Sequence, residues 1–374
     1  MKRSVSTILL IILFIAYLSC SKSANRYANN NTEEEKIDID TDVVVNVEVD
    51  NEGPVIILTK PQIATRGLAV VKEEEELDIA GRVSDISGIS QIKVNNIKIE
   101  FNLQGCFDST IPFPKDNLIT IIATDRKNNS TEKVYKISSQ LPEEPNKKRI
   151  AFIIGNSDYD SLKSLRNPEN DVDSMANVLR SLNFDVQLYK NLRLENFKSE
   201  LQKFKDKISN DCAVLFYYAG HGVQINGNNY LVPVDVFIRN ESEVYEKCLC
   251  MKKDILCGFE GYSKNTNVII LDACRDNPFE GFTTRGLAQM GSLPENSIIA
   301  FSAAENQVAL DGDGANSPFT EELLSSLKIP GLKAEEVFKL TRIGVRYKTN
   351  NVQNPATYNT LTTDFYFVEY INSY

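Results

Sequence analysis

The strongest constraint on the fold is a set of short, almost wholly apolar runs in the second half of the chain, interspersed with amphipathic segments. The apolar runs occupy residues 150–154, 213–218, 268–271 and 298–302. Runs of this length without polar alternation are typical of strands that are buried on both faces. Such strands occur in parallel sheets covered by helices, so the pattern predicts an α/β domain with three layers and a mostly parallel central sheet.

The amphipathic segments predict the helices of this domain. One helix is expected to begin at Asn167, with the asparagine side chain as its cap and Pro168 at the first helical position. Further helices are predicted over residues 195–208, 318–327 and 334–347, and a short strand at 186–188. Alternation of these helices with the apolar runs supports the α/β class.

Residues 51–140 follow a different pattern, made of short β-branched runs separated by turn sequences. The runs lie at residues 55–58, 77–80, 92–94 and 119–123. Short strands at this spacing predict an antiparallel all-β sandwich. Residues 87–95 and 117–125 resemble bacterial immunoglobulin-like modules, which implies an immunoglobulin-like sandwich that serves as a spacer or a binding module.

The N-terminal residues have the composition of an export signal. Lys2 and Arg3 precede an apolar run at residues 8–18 that is too short to span a bilayer comfortably. A small residue and then Cys20 follow this run, and the segment resembles the lipobox of bacterial lipoproteins. The resemblance implies a lipid on Cys20 and an exported protein anchored to a membrane of the cell envelope. An ordinary cleaved signal and an uncleaved anchor are the alternatives.

Shifts in composition divide the chain into successive parts. These are a signal peptide at residues 1–20, a disordered acidic tether at 21–50, the β-sandwich at 51–140, a charged linker at 141–148 and the α/β domain at 149–371.

Charge and cysteine spacing argue against two classes of function. The formal net charge of −10 argues against a nucleic-acid partner, because phosphate binding requires a basic face. Cys248, Cys250 and Cys257 fit no common zinc spacing, and the single histidine, His221, lies elsewhere in the sequence. We interpret these cysteines as partly buried thiols or one disulfide, and no metal site is predicted.

His221 and Cys274 are the candidates for covalent chemistry. His221 directly follows one buried strand and Cys274 ends another. Catalytic groups gather at the carboxyl ends of parallel strands, so the two residues meet if their strands are neighbours. An imidazole beside a thiol favours the reactive thiolate and can protonate a leaving amine. The amides of Gly222 and Cys274 are expected to form an oxyanion hole. Taken alone, each side chain would more commonly be structural.

Several blocks in register resemble bacterial caspase-like cysteine peptidases of the metacaspase type. Residues 217–222 and 229–235 are similar to the histidine region of that family, and residues 271–279 to its cysteine region. The other blocks lie at residues 153–156, 165–168, 170–171, 285–288, 300–304 and 317–320. The resemblance covers about residues 148–368. It implies a caspase-like fold and hydrolysis of peptide bonds by a Cys–His dyad.

The same resemblance implies a preference for basic substrates. Asp272 lies two residues before Cys274, and residues two apart on a strand point to the same face. Asp171 lies in the block that matches the other specificity acid of the family. By resemblance to metacaspases, both carboxylates would receive an Arg or Lys side chain at P1. The alternative is that Asp171 supports the start of a helix and Asp272 is tied to backbone amides.

Metacaspase relatives are often activated by calcium, which leaves calcium activation open. Asp311 and Asp313 lie in a Gly-rich loop without recognisable calcium spacing, and we interpret them as acids that solvate the loop. No cofactor is therefore predicted to be required.

Two other functions are compatible with the sequence. One is a catalytically silent caspase-like scaffold or an interaction lipoprotein of the envelope. The other is a different cysteine-dependent hydrolase or transpeptidase that acts on envelope proteins.

Overall fold

The computed structural model describes residues 50–61, 63–65, 68–70, 75–138, 147–274, 293–304 and 309–368. The predicted signal peptide, Cys20 and almost all of the predicted tether lie outside the described residues. No helix in the described ranges is long and apolar enough to cross a membrane. Residues from Asp50 to the C-terminus belong to one compact unit.

The secondary structure changes in type near residue 148. The first part contains the strands β1 (Val55–Lys60), β2 (Ile63–Thr65), β3 (Leu68–Val70), β4 (Glu76–Ser84), β5 (Ile89–Val94), β6 (Ile97–Lys98), β7 (Cys106–Pro112), β8 (Leu118–Asp125) and β9 (Ser130–Ser138). The second part contains the strands β10 (Lys148–Gly155), β11 (Asp185–Lys190), β12 (Cys212–Ile225), β13 (Asn228–Leu231), β14 (Leu249–Cys250), β15 (Thr266–Cys274), β16 (Ser297–Phe301) and β17 (Ala356–Asn359). Its helices are α1 (Pro168–Ser181), α2 (Leu194–Lys205), α3 (Glu241–Lys247), α4 (Pro318–Leu327) and α5 (Ala334–Lys348), with a π-helical turn at Met251–Ile255 and a 3₁₀ turn at Leu256–Gly258.

The second part is a three-layer α/β domain, as predicted. Its main sheet has the strand order β11-β10-β12-β15-β16-β17. Neighbouring strands run parallel except for the edge strand β17, which is antiparallel to β16. Alternate residues of β10 enter different cores: Ile153 packs with α1, α4 and α5, whereas Phe152 and Ile154 pack with α2. Burial of both faces explains why the middle of each central strand is apolar.

The hairpin formed by the end of β12 and β13 was not predicted. β12 continues beyond the expected end at residue 218 as far as Ile225, and its last residues pair antiparallel with β13. The turn between them has positive φ angles of 49° at Asn226 and 74° at Gly227. This conformation is the one that a two-residue hairpin turn of type I′ requires.

The first part consists of two sheets that share one core. The sheet orders are β1-β4-β7 and β2-β3-β9-β8-β5-β6. Large apolar residues from both sheets, including Ile79, Phe107 and Ile121, fill the space between them. The expectation of a wholly antiparallel sandwich is wrong at one pair, because β3 runs parallel to β9. β3 and β9 are far apart in the sequence, so no short turn between them imposes an antiparallel direction. An immunoglobulin-like identity of this part stays a prediction.

One local expectation needs correction. Asn167 occupies the N-cap position of α1, but its side chain makes no cap hydrogen bond. Its Nδ2 instead donates to the carbonyl of Asp311, because the backbone of Asn167 is already helical (φ −101°, ψ −17°). Of the two interpretations of Cys248, Cys250 and Cys257, the structure has free thiols and not a disulfide.

Candidate active site

The sheet brings His221 and Cys274 together. β12 and β15 are adjacent and parallel, and their register sets His221 directly opposite Cys274. Register partners on neighbouring strands lie about 5 Å apart, so both backbones reach the same point on the carboxyl edge of the sheet. β15 ends at Cys274. Gly222, one residue beyond His221, faces Leu231 in the β12–β13 hairpin at the same edge.

Two buried tyrosines hold the backbone of His221. Its N–H donates to Tyr159 Oη at 2.8 Å, and its carbonyl accepts from Tyr218 Oη at 2.7 Å. The ring of Tyr159 also packs against the imidazole, with 4.6 Å between the ring centroids. The peptide of His221 is therefore fixed on both sides.

Gly220 makes this arrangement possible. A Cβ atom at this position would lie 2.7 Å from the hydroxyls of both Tyr159 and Tyr218. Real Cβ atoms do not approach polar atoms so closely without a shift of the surroundings. The hydroxyls that hold His221 thus require a residue without a side chain immediately before it.

The hydrogen bonds of the imidazole decide which nitrogen can take up a proton. Nε2 lies 2.8 Å from the carbonyl oxygen of Lys163. Because a carbonyl can only accept, Nε2 carries the hydrogen, and Nδ1 carries the free lone pair of the neutral ring. Nδ1 is buried and has no hydrogen-bond partner among the described residues.

Burial keeps this histidine neutral. It lowers the pKa of His221 below its ordinary value, although the bond to the Lys163 carbonyl and the charge of Asp311 act in the opposite direction. A neutral imidazole with an unpartnered nitrogen can accept a proton from a thiol and later deliver it to a leaving amine. The register thus sets a histidine with an unpartnered ring nitrogen opposite a cysteine at the carboxyl edge of the sheet.

The two predicted specificity acids are buried and meet at the start of α4. Asp171 Oδ1 accepts from Ser317 N at 3.0 Å and from Asn316 Nδ2 at 2.9 Å. Asp272 Oδ2 accepts from Ser317 Oγ at 2.5 Å and from Thr320 Oγ1 at 2.8 Å. Ser317 thus links both carboxylates, one through its backbone and one through its side chain.

The surroundings of both acids disfavour the ionised carboxylate. Burial and the nearby charge of Asp272 raise the pKa of Asp171 to about 8. Burial also raises the pKa of Asp272, against the hydrogen bonds from Ser317 and Thr320. Two carboxylates that share a low-dielectric site are the environment in which a cationic side chain is most strongly attracted.

A third acid belongs to this group and was misinterpreted from the sequence. Asp311 accepts from the backbone N–H of Arg166 at 2.8 Å and of Asn167 at 3.2 Å, so it joins two loops rather than merely solvating one. Its charge acts to raise the pKa values of Asp171, Asp272 and His221, although burial leaves the pKa of His221 below its ordinary value. Nothing local in the sequence marks Asp311, because its partners lie more than a hundred residues away. The nearby Asp313 is exposed.

Comparison with known proteins matches the second part of the chain to a family. The profile of the Caspase domain family (Peptidase C14) matches residues 148–366. The human mucosa-associated lymphoid tissue lymphoma translocation protein 1 is 30% identical over 171 residues, which are 46% of this chain and 19% of that protein. Caspase-1 of Rattus norvegicus is 25% identical over 242 residues, which are 59% of this chain and 60% of that protein. The chain thus spans less than two thirds of either relative.

The structure of caspase-1 from Spodoptera frugiperda aligns with this chain at a TM-score of 0.43 and 20% identity. The alignment covers 61% of this chain and 96% of the insect protein.

Proposed function

Because this chain belongs to the Caspase domain family, which is a family of cysteine peptidases, we propose that it is an endopeptidase that cleaves peptide bonds after Arg or Lys. The observation that most supports this proposal is the register of β12 and β15, which sets His221 opposite Cys274. The second support is the unpartnered Nδ1 of the buried imidazole.

The proposed reaction follows from these positions. The Cys274 sulfur gives its proton to His221 and attacks the scissile carbonyl carbon, which forms a tetrahedral intermediate. The amides of Gly222 and Cys274 would stabilise the oxyanion. Collapse of the intermediate expels the amine, which takes the proton from His221 and leaves an acyl-enzyme. Water then hydrolyses this thioester with His221 as the base.

The acids around Ser317 support a basic P1 residue. Among the described residues, Asp171, Asp272 and Asp311 form no ion pair with a lysine or arginine, and the first two are almost completely buried. Burial, together with repulsion from neighbouring acids, raises the pKa values of Asp171 and Asp272, and a guanidinium or ammonium group that entered this region would favour their charged forms. An acidic P1 side chain would increase that repulsion.

The test of this proposal compares fluorogenic peptides with Arg, Lys or Asp at P1 on the purified full-length chain. We expect cleavage after Arg and Lys that disappears in Cys274→Ala and in His221→Ala. Asp272→Asn and Asp171→Asn should each lower kcat/KM for the Arg peptide by about 30-fold or more, the effect of losing one partner of a buried charge pair. Asp313→Asn, which removes an exposed acid two residues from Asp311, is the matched control.

Each outcome separates the alternatives. Equal cleavage after Asp and Arg, or full activity of Asp272→Asn on the Arg peptide, would contradict the acidic P1 pocket but leave the peptidase intact. A folded protein that cleaves no peptide, and whose Cys274 does not react with a thiol-directed peptidyl inhibitor, would favour the silent scaffold. Transfer of an acyl group to an added amine would favour a transpeptidase.

We also propose that the chain is exported and lipid-anchored through Cys20, on the basis of its N-terminal sequence. Metabolic labelling with a radioactive fatty acid should tag the protein and should fail in Cys20→Ala. Equal labelling of the two proteins would exclude this anchor.

A further inference from the structure

A second group of acids lies outside the candidate active site, in the first part of the chain. It consists of Asp50, which precedes β1, Asp85, which follows β4, and Asp125 at the end of β8. Each contributes one carboxylate oxygen to a cluster in which these atoms lie within 4.8 Å of one another. Three segments that are distant in sequence thus converge on one point.

Two of these carboxylates present an oxygen without a partner. The side chain of Asp85 is completely buried, and its Oδ2 accepts no hydrogen bond. Its other oxygen is fixed by the N–H and the hydroxyl of Ser87, both at 2.8 Å. Asp50 Oδ2 is also buried and accepts no hydrogen bond. A buried carboxylate oxygen without a partner is strongly unfavourable unless a cation meets it.

The third carboxylate is fixed by hydrogen bonds from its own loop. Asp125 accepts from the N–H groups of Lys127 and Asn129 and from the Asn129 side chain, at 2.7 to 2.8 Å. These donors are neutral and bring no positive charge to the cluster.

The nearest cation in the described part of the chain does not donate a hydrogen bond to the unpartnered oxygens of the cluster. Lys339 Nζ of α5 lies 3.7 Å from Asp85 Oδ2, too far for a hydrogen bond, and donates to the carbonyl of Gly53. It also lies 3.7 Å from Glu52, which is itself paired with Arg342. Three carboxylates face one ammonium group, which leaves a charge of about −2.

We propose that Asp50, Asp85 and Asp125 bind a calcium ion. Their ligand atoms are all oxygens, which suit calcium and magnesium rather than zinc or copper. Calcium bonds of 2.3–2.6 Å allow ligands up to about 5 Å apart, in agreement with the 4.8 Å limit of this cluster. Calcium also tolerates irregular ligand geometry, whereas magnesium requires a nearly regular octahedron. The site is distinct from the peptidase machinery.

Isothermal titration of the full-length chain with calcium chloride tests this proposal. We expect one binding event in the range of extracellular calcium sites, with Kd of about 0.1–1 mM, and much weaker binding of magnesium. Saturating calcium should raise Tm by about 2–4 °C. Asp85→Asn should weaken calcium binding by about 10-fold or more, whereas Asp108→Asn, which changes an exposed acid on β7, should bind as the wild type does.

Two further variants keep the test decisive. Asp50→Asn, at a less buried ligand, should also weaken binding and serves if Asp85→Asn does not fold. Lys339→Met should bind calcium more tightly, because an ammonium group 3.7 Å from a ligand is removed. The proposal is overturned if the wild type takes up no calcium at millimolar concentration, or if Asp50→Asn and Asp85→Asn bind it as tightly as the wild type.

Discussion

The contacts of His221 show how a few residues fix its backbone and determine which ring nitrogen carries the hydrogen. The hydroxyls of Tyr159 and Tyr218 fix its backbone, and the Lys163 carbonyl takes the hydrogen on Nε2. One nitrogen is therefore left with a lone pair and no partner. The sequence showed the histidine and the glycine before it. It did not show the two tyrosines and the carbonyl, because these contacts depend on where Tyr159 and Lys163 fold back against β12.

Asp171 provides a test of the acidic group at the same scale. Its pKa is about 8 in the folded protein and 3.8 in its unperturbed state, so folding favours the protonated form. The contribution of Asp171 to stability is thus fully present below about pH 3.8 and is lost as the pH rises towards 8. Asn has nearly the shape of the protonated acid and cannot ionise. Asp171→Asn should therefore become progressively more stable than the wild type between pH 5 and pH 9.

Urea unfolding of both proteins at several pH values measures this difference. Asp313→Asn, in an exposed position, should show no such trend. A difference between Asp171→Asn and the wild type that does not change with pH would contradict the burial of a repelled carboxyl at this position.

The N-terminus of α4 joins helix formation to the site. Ser317 is the N-cap, and its Oγ accepts from Thr320 N at 3.0 Å and donates to Asp272. Ser317→Ala should destabilise the protein by about 2 kcal/mol, because it removes a cap worth about 1 kcal/mol and a hydrogen bond to a buried carboxyl of similar size.

Asn240→Ala is the matched control. Asn240 caps α3 by accepting from Glu243 N, but it is exposed and touches no buried acid. Its loss should lower the free energy of unfolding by only about 1 kcal/mol in denaturant titrations. Equal effects of the two substitutions would mean that the bond from Ser317 to Asp272 contributes nothing to stability.

Elements were predictable where burial alone determines the sequence pattern. The apolar runs located β10, β12, β15 and β16, since strands covered on both faces are mostly apolar along their middle residues. β13 and α3 were missed, because short elements on a half-exposed loop carry little periodicity. One signal was present and overlooked: Asn226-Gly227 is the strongest short hairpin sequence, and it forms the turn between β12 and β13.

Contacts between the two parts of the chain were beyond sequence analysis. Val55 of β1 packs in the core that also contains Phe338 of α5. Lys133 of β9 forms a two-pronged ion pair with Glu336 of α5, at 2.7 and 2.8 Å. A charged linker was predicted at residues 141–148, but residues that pair across about two hundred positions leave no local pattern in the sequence. Through these contacts the residues from Asp50 onward form one compact unit.

We therefore expect the full-length chain to unfold in one calorimetric transition, with the two parts losing structure together. Lys133→Met should lower the free energy of unfolding by about 3 kcal/mol, because Glu336 would be left as a largely buried carboxylate without its main partner. The double variant Lys133→Met/Glu336→Gln should recover part of this loss. Lys136→Met, an exposed lysine of the same strand, should change little. Two separate transitions in the wild type, or equal stability of Lys133→Met and Lys136→Met, would show that the two parts fold without support from each other.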